Sequence, residues 1–182
     1  RKSLDKGVAK GKLEKEAADA TFERLKTTVD RAGILGDMDI VIEAVPEKIE
    51  LKKSIFREID KEAPNAWLLG SNTSSLSVSE IAGVTENPSR VVGLHFFNPA
   101  PIMKLVEVIN ASRTCPDVLA KTEEFVRGLG RTPVTVLDAP GFATSRLGIV
   151  LGLEAMRMVE QGVAGAEAID AAPIDRFSLE DA

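Results

Sequence analysis

A single cysteine, Cys115, is all the thiol chemistry this 182-residue chain carries. No internal disulfide can form, so the composition points to a reduced, intracellular setting and excludes a disulfide-stapled secreted fold. Cys115 stands just before a helix start, where packing competes with reactivity as its role. Long apolar runs are missing as well. None reaches the length a bilayer-crossing helix needs, and the opening residues form a lysine-rich amphipathic stretch, not a signal peptide. Positive charge is in deficit: 23 Lys and Arg face 28 Asp and Glu, a net charge of −5. That argues against nucleic acid or an anionic membrane as the main partner. No internal repeat and no low-complexity tract is present, and no metal site is expected. Histidine occurs once, at His95. It is the one side chain whose ordinary titration falls near neutral pH, hence the natural proton-transfer group.

What is present is an ordinary globular balance of 44% apolar and 28% charged residues. The length suffices for one sizeable core or about one and a half domains. The chain opens on Arg1, not Met, which points to residues upstream. Residues 1–20 read as two short exposed helices split near Gly11. Lys2, Lys6 and Lys10 recur at helical spacing, as a solvated face or as a docking face for a phosphate-bearing ligand. Leu25, Thr27 and Val29 alternate and predict a short strand.

Residues 39–45 (DIVIEAV) form a near-continuous β-branched run, the pattern of a parallel strand buried on both faces. Pro46 is predicted to open a helix with Glu47 and Glu50 in its first turn. Leu51, Ile55 and Ile59 lie on its apolar stripe beside Phe56. Ala63-Pro64-Asn65 stops it, and residues 67–69 supply the next strand. Ser77 and Glu80 form a capping box for a helix over 78–82. Strands follow over 90–95, ending on His95, and over 104–109. A helix from Pro116 to near Gly130 presents Leu119, Phe125, Val126 and Leu129. Then come a strand over 132–137, a hinge-like turn over 138–141, a long helix over 142–161 and a further helix from Ala164.

Strand–helix alternation up to residue 138 predicts an α/β, doubly wound sheet, with purely helical chain after it. The boundary falls near Asp138–Pro140, dividing the chain into 1–138 and 139–182. In such sheets ligands bind outside the carboxyl ends of the strands. Residues 43–47, 71–75, 95–98 and 138–141 converge on that edge. His95 there needs an acid to orient its other nitrogen, and Glu107 is the candidate, because it interrupts the apolar run LVEVI. The competing view of Glu107 is the exposed face of an edge strand. Residues 71–75 likewise fit a plain turn ahead of a helix.

The segments SNTSSL (71–76), HFFNPAPIMKLVEVI (95–109) and PGFATSR (140–146) resemble the 3-hydroxyacyl-CoA dehydrogenase family at these spacings. DIVIEAVPE matches too, and the likeness extends over roughly residues 1–170. The resemblance implies a Rossmann-like NAD-binding domain followed by a helical domain that completes the substrate site and a homodimer. It implies reversible oxidation of an (S)-3-hydroxyacyl-CoA to the 3-ketoacyl-CoA, in the cytoplasm, with an acyl-CoA as the partner molecule. His95 matches the general base and Glu107 the acid that orients it. Ser74 matches the serine near the reacting oxygen and the nicotinamide. Asn98 matches the asparagine on the nicotinamide side. Ala44, Val45, Glu47, Lys52 and Asn72 match positions lining the cofactor.

The sequence departs from the family pattern in three places. The G-x-G-x-x-G turn that holds the pyrophosphate is not among these residues, nor is the acid about 20 positions later that reads the ribose. The expectation is that the first βαβ unit lies upstream of Arg1, and its acid or an Arg decides between NAD and NADP. The family's catalytic Asn, in GF-x-x-NR, is Ser145, a shorter group with one donor. The tail AAPIDRFSLEDA (171–182) departs from the expected Gly/Pro-rich continuation. Taken alone, these residues are expected to turn over little. The alternatives are a segment of a multifunctional fatty-acid oxidation protein, or a dehydrogenase-derived binding or structural protein of the lens-crystallin kind.

Overall fold

Residues 1–35 hold three helices in the computed structural model, α1 (Lys2–Ala9), α2 (Lys15–Arg24) and α3 (Ala32–Leu35), and form a compact unit of their own. The structure describes residues 1–172; the atypical tail from 173 onward lies outside the described residues. α1 and α2 part at Gly11, whose φ of +62° suits glycine. Arg1 ties them together: its guanidinium reaches Asp5 at 2.8 Å and Asp19 at 2.6 Å and lies over the Phe22 ring. Lys2, Lys6 and Lys10 are exposed. The strand expected over 25–29 does not form. Leu25 is extended, but Leu25 and Val29 are exposed and no strand among the described residues pairs with this stretch. Alternation without a partner leaves the ladder bonds unmade.

From Gly36 the chain builds a second unit around a five-stranded sheet. Its elements are β1 (Ile40–Glu43), α4 (Ile49–Glu62), β2 (Leu68–Ser71), α5 (Val78–Ala82), β3 (Val91–Phe96), β4 (Leu105–Asn110), α6 (Pro116–Gly128), β5 (Thr132–Leu137), α7 (Thr144–Glu160) and α8 (Ala166–Asp170). The strands stand side by side in chain order. β1–β2, β2–β3 and β4–β5 pair in parallel across helices, the expected Rossmann-like pattern. β3 and β4 pair antiparallel, because the connection between them is a short return loop and not a helical crossover.

Alternation gives the sheet two apolar faces. On one, Leu68, Val92, Leu94, Val106 and Val108 meet Val126 of α6, with Val118, Leu119 and Phe125 packed beside them. On the other, α5 lies so close to β3 that a Cβ on Gly93 would sit 2.6 Å from Ile109 Cβ and 2.8 Å from Val78 Cγ2. Leu129, expected on the apolar side of α6, lies past its end and is exposed.

Two expectations for the first strand and helix change. β1 is an edge strand among the described residues, half-buried, with Ile42 38% exposed, so it is not sandwiched on both faces. α4 starts at Ile49, three residues after Pro46, because Glu47 is engaged with the loop after β2 instead of joining a first turn. Its buried side is Lys52, Phe56, Ile59 and Asp60, and Leu51 faces outward.

The end of α4 is closed by Arg90, just before β3. Its buried guanidinium donates to the carbonyls of Ala63 and Ala66 at 2.7 Å each, and to Asp60 O at 2.7 Å and Oδ1 at 2.9 Å. A cation at a helix carboxyl end satisfies orphan carbonyls and favours the dipole. Removing it strands the buried Asp60 carboxylate. Arg90→Ala is expected to cost roughly 3–5 kcal/mol in denaturant unfolding; a loss below about 1 kcal/mol, the scale of an exposed pair, contradicts this account of the staple.

Candidate active site

His95 is the fifth residue of β3 and Glu107 the third of β4. The antiparallel register sets them directly opposite each other, where facing Cβ atoms lie about 4.5–5.5 Å apart. The two buried side chains meet, with His95 Nδ1 2.8 Å from Glu107 Oε2. The other acceptor positions of the carboxylate are filled as well. Oε1 accepts the N–H groups of Ala143 at 3.1 Å and Thr144 at 2.9 Å, and Oε2 accepts the Thr144 hydroxyl at 2.8 Å. Those N–H groups are orphan donors at the start of α7, so Glu107 caps that helix from another element. The edge-strand view of Glu107 fails here, since β4 has neighbours on both sides and Glu107 is fully buried.

Burial pushes the Glu107 carboxyl up, but hydrogen bonds from His95, Thr144 and Ala143 outweigh it and hold the group below its ordinary value. An ionised carboxylate is an acceptor only, so the contact assigns the proton of the neutral ring to Nδ1 and the lone pair to Nε2. The Phe97 and Phe142 rings flank the imidazole, with centroids at 4.4 and 6.3 Å. Phe142 takes a positive φ of +50°, directly after Gly141 at +73°. This tight turn aims the first N–H groups of α7 at Glu107.

A second polar cluster joins the carboxyl ends of β1 and β2. The fully buried Lys52 ammonium donates to Glu43 Oε1 at 2.7 Å and Val45 O at 3.2 Å, and lies 3.4 Å from Glu47 Oε2. Glu43 also accepts Val45 N–H at 2.6 Å and the Ser71 hydroxyl at 2.8 Å. Glu47 accepts the Thr73 hydroxyl, and the Ser74 N–H at 3.0 Å. Partial burial pushes the Glu47 carboxyl up, yet Thr73, Ser74 and Lys52 together hold it below its usual range. Thr73 Oγ1 also accepts Leu76 N–H at 3.0 Å, so residues 71–75 do form a local turn.

Cross-links tie the two clusters into one edge. Asn72 Oδ1 accepts the Phe96 N–H at 2.9 Å, fixing the backbone next to His95. The Ser145 hydroxyl donates to Ser74 O at 3.1 Å. Asp138 accepts the Ser77 hydroxyl and the N–H groups of Val78 and Ser79 at 2.9, 3.2 and 2.7 Å, capping α5 from the far side. Ser77 Oγ accepts Glu80 N–H at 3.2 Å, one half of the expected box; the Glu80 carboxylate pairs with Lys53 instead. The structure thus connects His95, Glu107, Ser74, Ser145, Asn72, Glu47, Val45 and Lys52. Ala44 and Asn98 are exposed and make none of these bonds.

Sequence reasoning missed Glu43 and Thr144 as individual positions. Glu43 carried the same signal as Glu107, a carboxylate interrupting an apolar strand. Thr144 carried none, because only the turn through Phe142 brings its hydroxyl to Glu107.

The Glu107 carboxylate sets a pH dependence with a definite sign. Its folded value lies below 4.5. Its contribution to stability is therefore complete above that pH and is lost as pH falls through the lower folded value. In denaturant titrations, Glu107→Gln should be less stable than the parent at neutral pH by roughly 1.5–3 kcal/mol. It should also lose less stability between about pH 5 and 3. Parallel acid limbs for the two proteins contradict this role.

The family model for the 3-hydroxyacyl-CoA dehydrogenase NAD binding domain matches residues 1–139, and that for the C-terminal domain of the same family matches residues 141–179. The chain is 42% identical over 169 residues to the 3-hydroxyadipyl-CoA dehydrogenase of Escherichia coli K12, covering 93% of this chain and 35% of that protein. It is 39% identical over 173 residues to the human mitochondrial hydroxyacyl-coenzyme A dehydrogenase, covering 91% and 55%. Against the 3-hydroxybutyryl-CoA dehydrogenase of Clostridioides difficile it is 39% identical, covering 94% and 60%. Among solved structures it resembles FadB2 of M. tuberculosis with a TM-score of 0.85 at 40% identity, covering 92% of this chain and 59% of that one. The chain spans about a third to three fifths of the length of these curated relatives. On the match of both family models and on these identities, the chain belongs to the 3-hydroxyacyl-CoA dehydrogenase family.

Proposed function

We propose that this chain carries the proton-transfer site of an NAD-dependent 3-hydroxyacyl-CoA dehydrogenase. The reaction is reversible oxidation of an (S)-3-hydroxyacyl-CoA to the 3-ketoacyl-CoA. The observation that supports it most is the buried His95–Glu107 contact of 2.8 Å at the carboxyl end of β3. In this reading Nε2 of His95 takes the proton of the substrate's 3-hydroxyl as the C3–H bond breaks. The electron pair of the O–H bond becomes the second bond of the ketone. Glu107 balances the imidazolium that results and keeps the ring aimed. In reduction the same imidazolium returns the proton to the carbonyl oxygen.

A nicotinamide cofactor, when bound, would supply the hydride chemistry at C3. The residues here fit its nicotinamide and ribose end. Glu47 is ionised, 40% exposed at its side chain and fixed beside Ser74, so it offers an acceptor for hydroxyl or amide donors. Ser74 and Asn98, both exposed, are proposed to face the nicotinamide, and Ser74 the reacting oxygen as well. Ala44, Val45 and Asn72 complete the lining. Lys52 serves from within, since its buried ammonium holds Glu43, Val45 and Glu47 in place. Ser145 spends its one donor on Ser74 O, so its proposed part is to position the serine loop.

Residues 1–138 and 139–182 are proposed as parts of the cofactor and helical domains. The exposed apolar side of α7, including Leu147, Val150 and Leu151, supports a homodimer. No helix among the described residues is long and apolar enough to cross a membrane, and a single cysteine suits the cytoplasm. The test is acetoacetyl-CoA reduction by NADH in the complete gene product. His95→Gln should lower kcat by about 100- to 10,000-fold; an unchanged rate removes His95 from the chemistry.

A further inference from the structure

Thr144 is the first residue of α7. Its backbone N–H already caps the helix on Glu107 Oε1 at 2.9 Å. Its hydroxyl goes further and donates to Oε2 at 2.8 Å, the same oxygen that takes Nδ1–H of His95 at the same distance. A helix start needs no such hydroxyl bond, because the N–H groups of Ala143 and Thr144 are satisfied by Oε1. Two donors therefore share one carboxylate oxygen, and one of them is the group proposed to move protons.

We infer that Thr144 is a positioning residue that tunes His95. Its hydroxyl fixes the rotation of the Glu107 carboxylate and takes a share of the Oε2 charge. Less of that charge remains to stabilise the imidazolium, and His95 is a weaker base than Glu107 alone would make it. This rests on the reading of His95 and Glu107 as a working pair. Among the described residues, the charged groups bonded at the contact are those two. β5 sets Val134 opposite Glu107, the flanking β4 residues are Val106 and Val108, and the turn presents Phe142, Ala143 and Thr144. Arg146, the nearest charge along α7, is exposed.

In the complete gene product the His95 resonance is identified by its loss in His95→Gln. The Cε1–H signal of His95 is followed by NMR against pH in the untagged protein, with no cofactor or substrate present. Thr144→Val keeps the shape and the backbone caps but removes the hydroxyl. It should move the His95 midpoint upward by roughly half a pH unit, and Thr144→Ser should restore it. A hydroxyl that merely caps the helix would change the melting temperature and leave the midpoint in place. Glu107→Gln is the control for the pair and should move the midpoint downward. An unmoved or lowered midpoint in Thr144→Val, with Glu107→Gln lowered as expected, overturns the tuning role and leaves the pair standing. If neither variant moves it, the pair itself is overturned and the tuning with it. A Thr144→Ser protein that behaves like Thr144→Val also overturns the role of the hydroxyl.

Discussion

One buried carboxylate organises this molecule. Glu107 sits in the interior with no exposure, a placement that costs several kcal/mol for an unpaired charge. It is tolerated because four donors from two elements converge on it: the imidazole of β3, and two N–H groups and one hydroxyl from the start of α7. Each donor also gains. The imidazole acquires a fixed tautomer, and the helix acquires a cap it lacks in its own sequence, since Ala143 at the N-cap has no side-chain acceptor. The antiparallel step between β3 and β4 makes this possible. In that register His95 and Glu107 are cross-strand partners on one face.

The same device recurs around the sheet edge. Asp138, at the end of β5, caps α5 from outside, and the stretch it introduces carries the N–H groups that Glu107 collects. Glu43, at the end of β1, holds Lys52 and Ser71, and Lys52 in turn supports Glu47 under the serine loop. Carboxylates at strand ends thus bind donors of neighbouring loops and helices. These loops are held by charge-assisted bonds, the stronger kind, buried at Glu43 and partly exposed at Asp138 and Glu47. Such an edge can hold the His95 ring in one orientation.

Much of this was legible in residue order. Short apolar runs placed the five strands of the sheet to within a residue or two, the β-branched run over 39–45 among them, and Ser77 placed the start of α5. Glu107 betrayed itself by breaking an apolar run, and His95 by ending a strand. What failed were inferences that depend on neighbours. Leu25, Thr27 and Val29 alternate like a strand but find no partner strand among the described residues. Pro46 looked like a helix opener until Glu47 found donors across the sheet edge. Nothing in the residue order marked Lys52 and Arg90 as interior groups, because the partners that hold them lie 5 to 30 residues away. Direction was hidden too: KLVEVI predicts a strand equally well either way up, and the short loop before it decides.

The central claim is that Glu107 sets which nitrogen of His95 is free to take a proton. Nitrogen-15 NMR of the ring, above the pH where it loses its charge, reports this directly. The account predicts Nδ1 with the shift of a protonated ring nitrogen and Nε2 with that of a bare one. Protonation on Nε2, or an even mixture of tautomers, would contradict it.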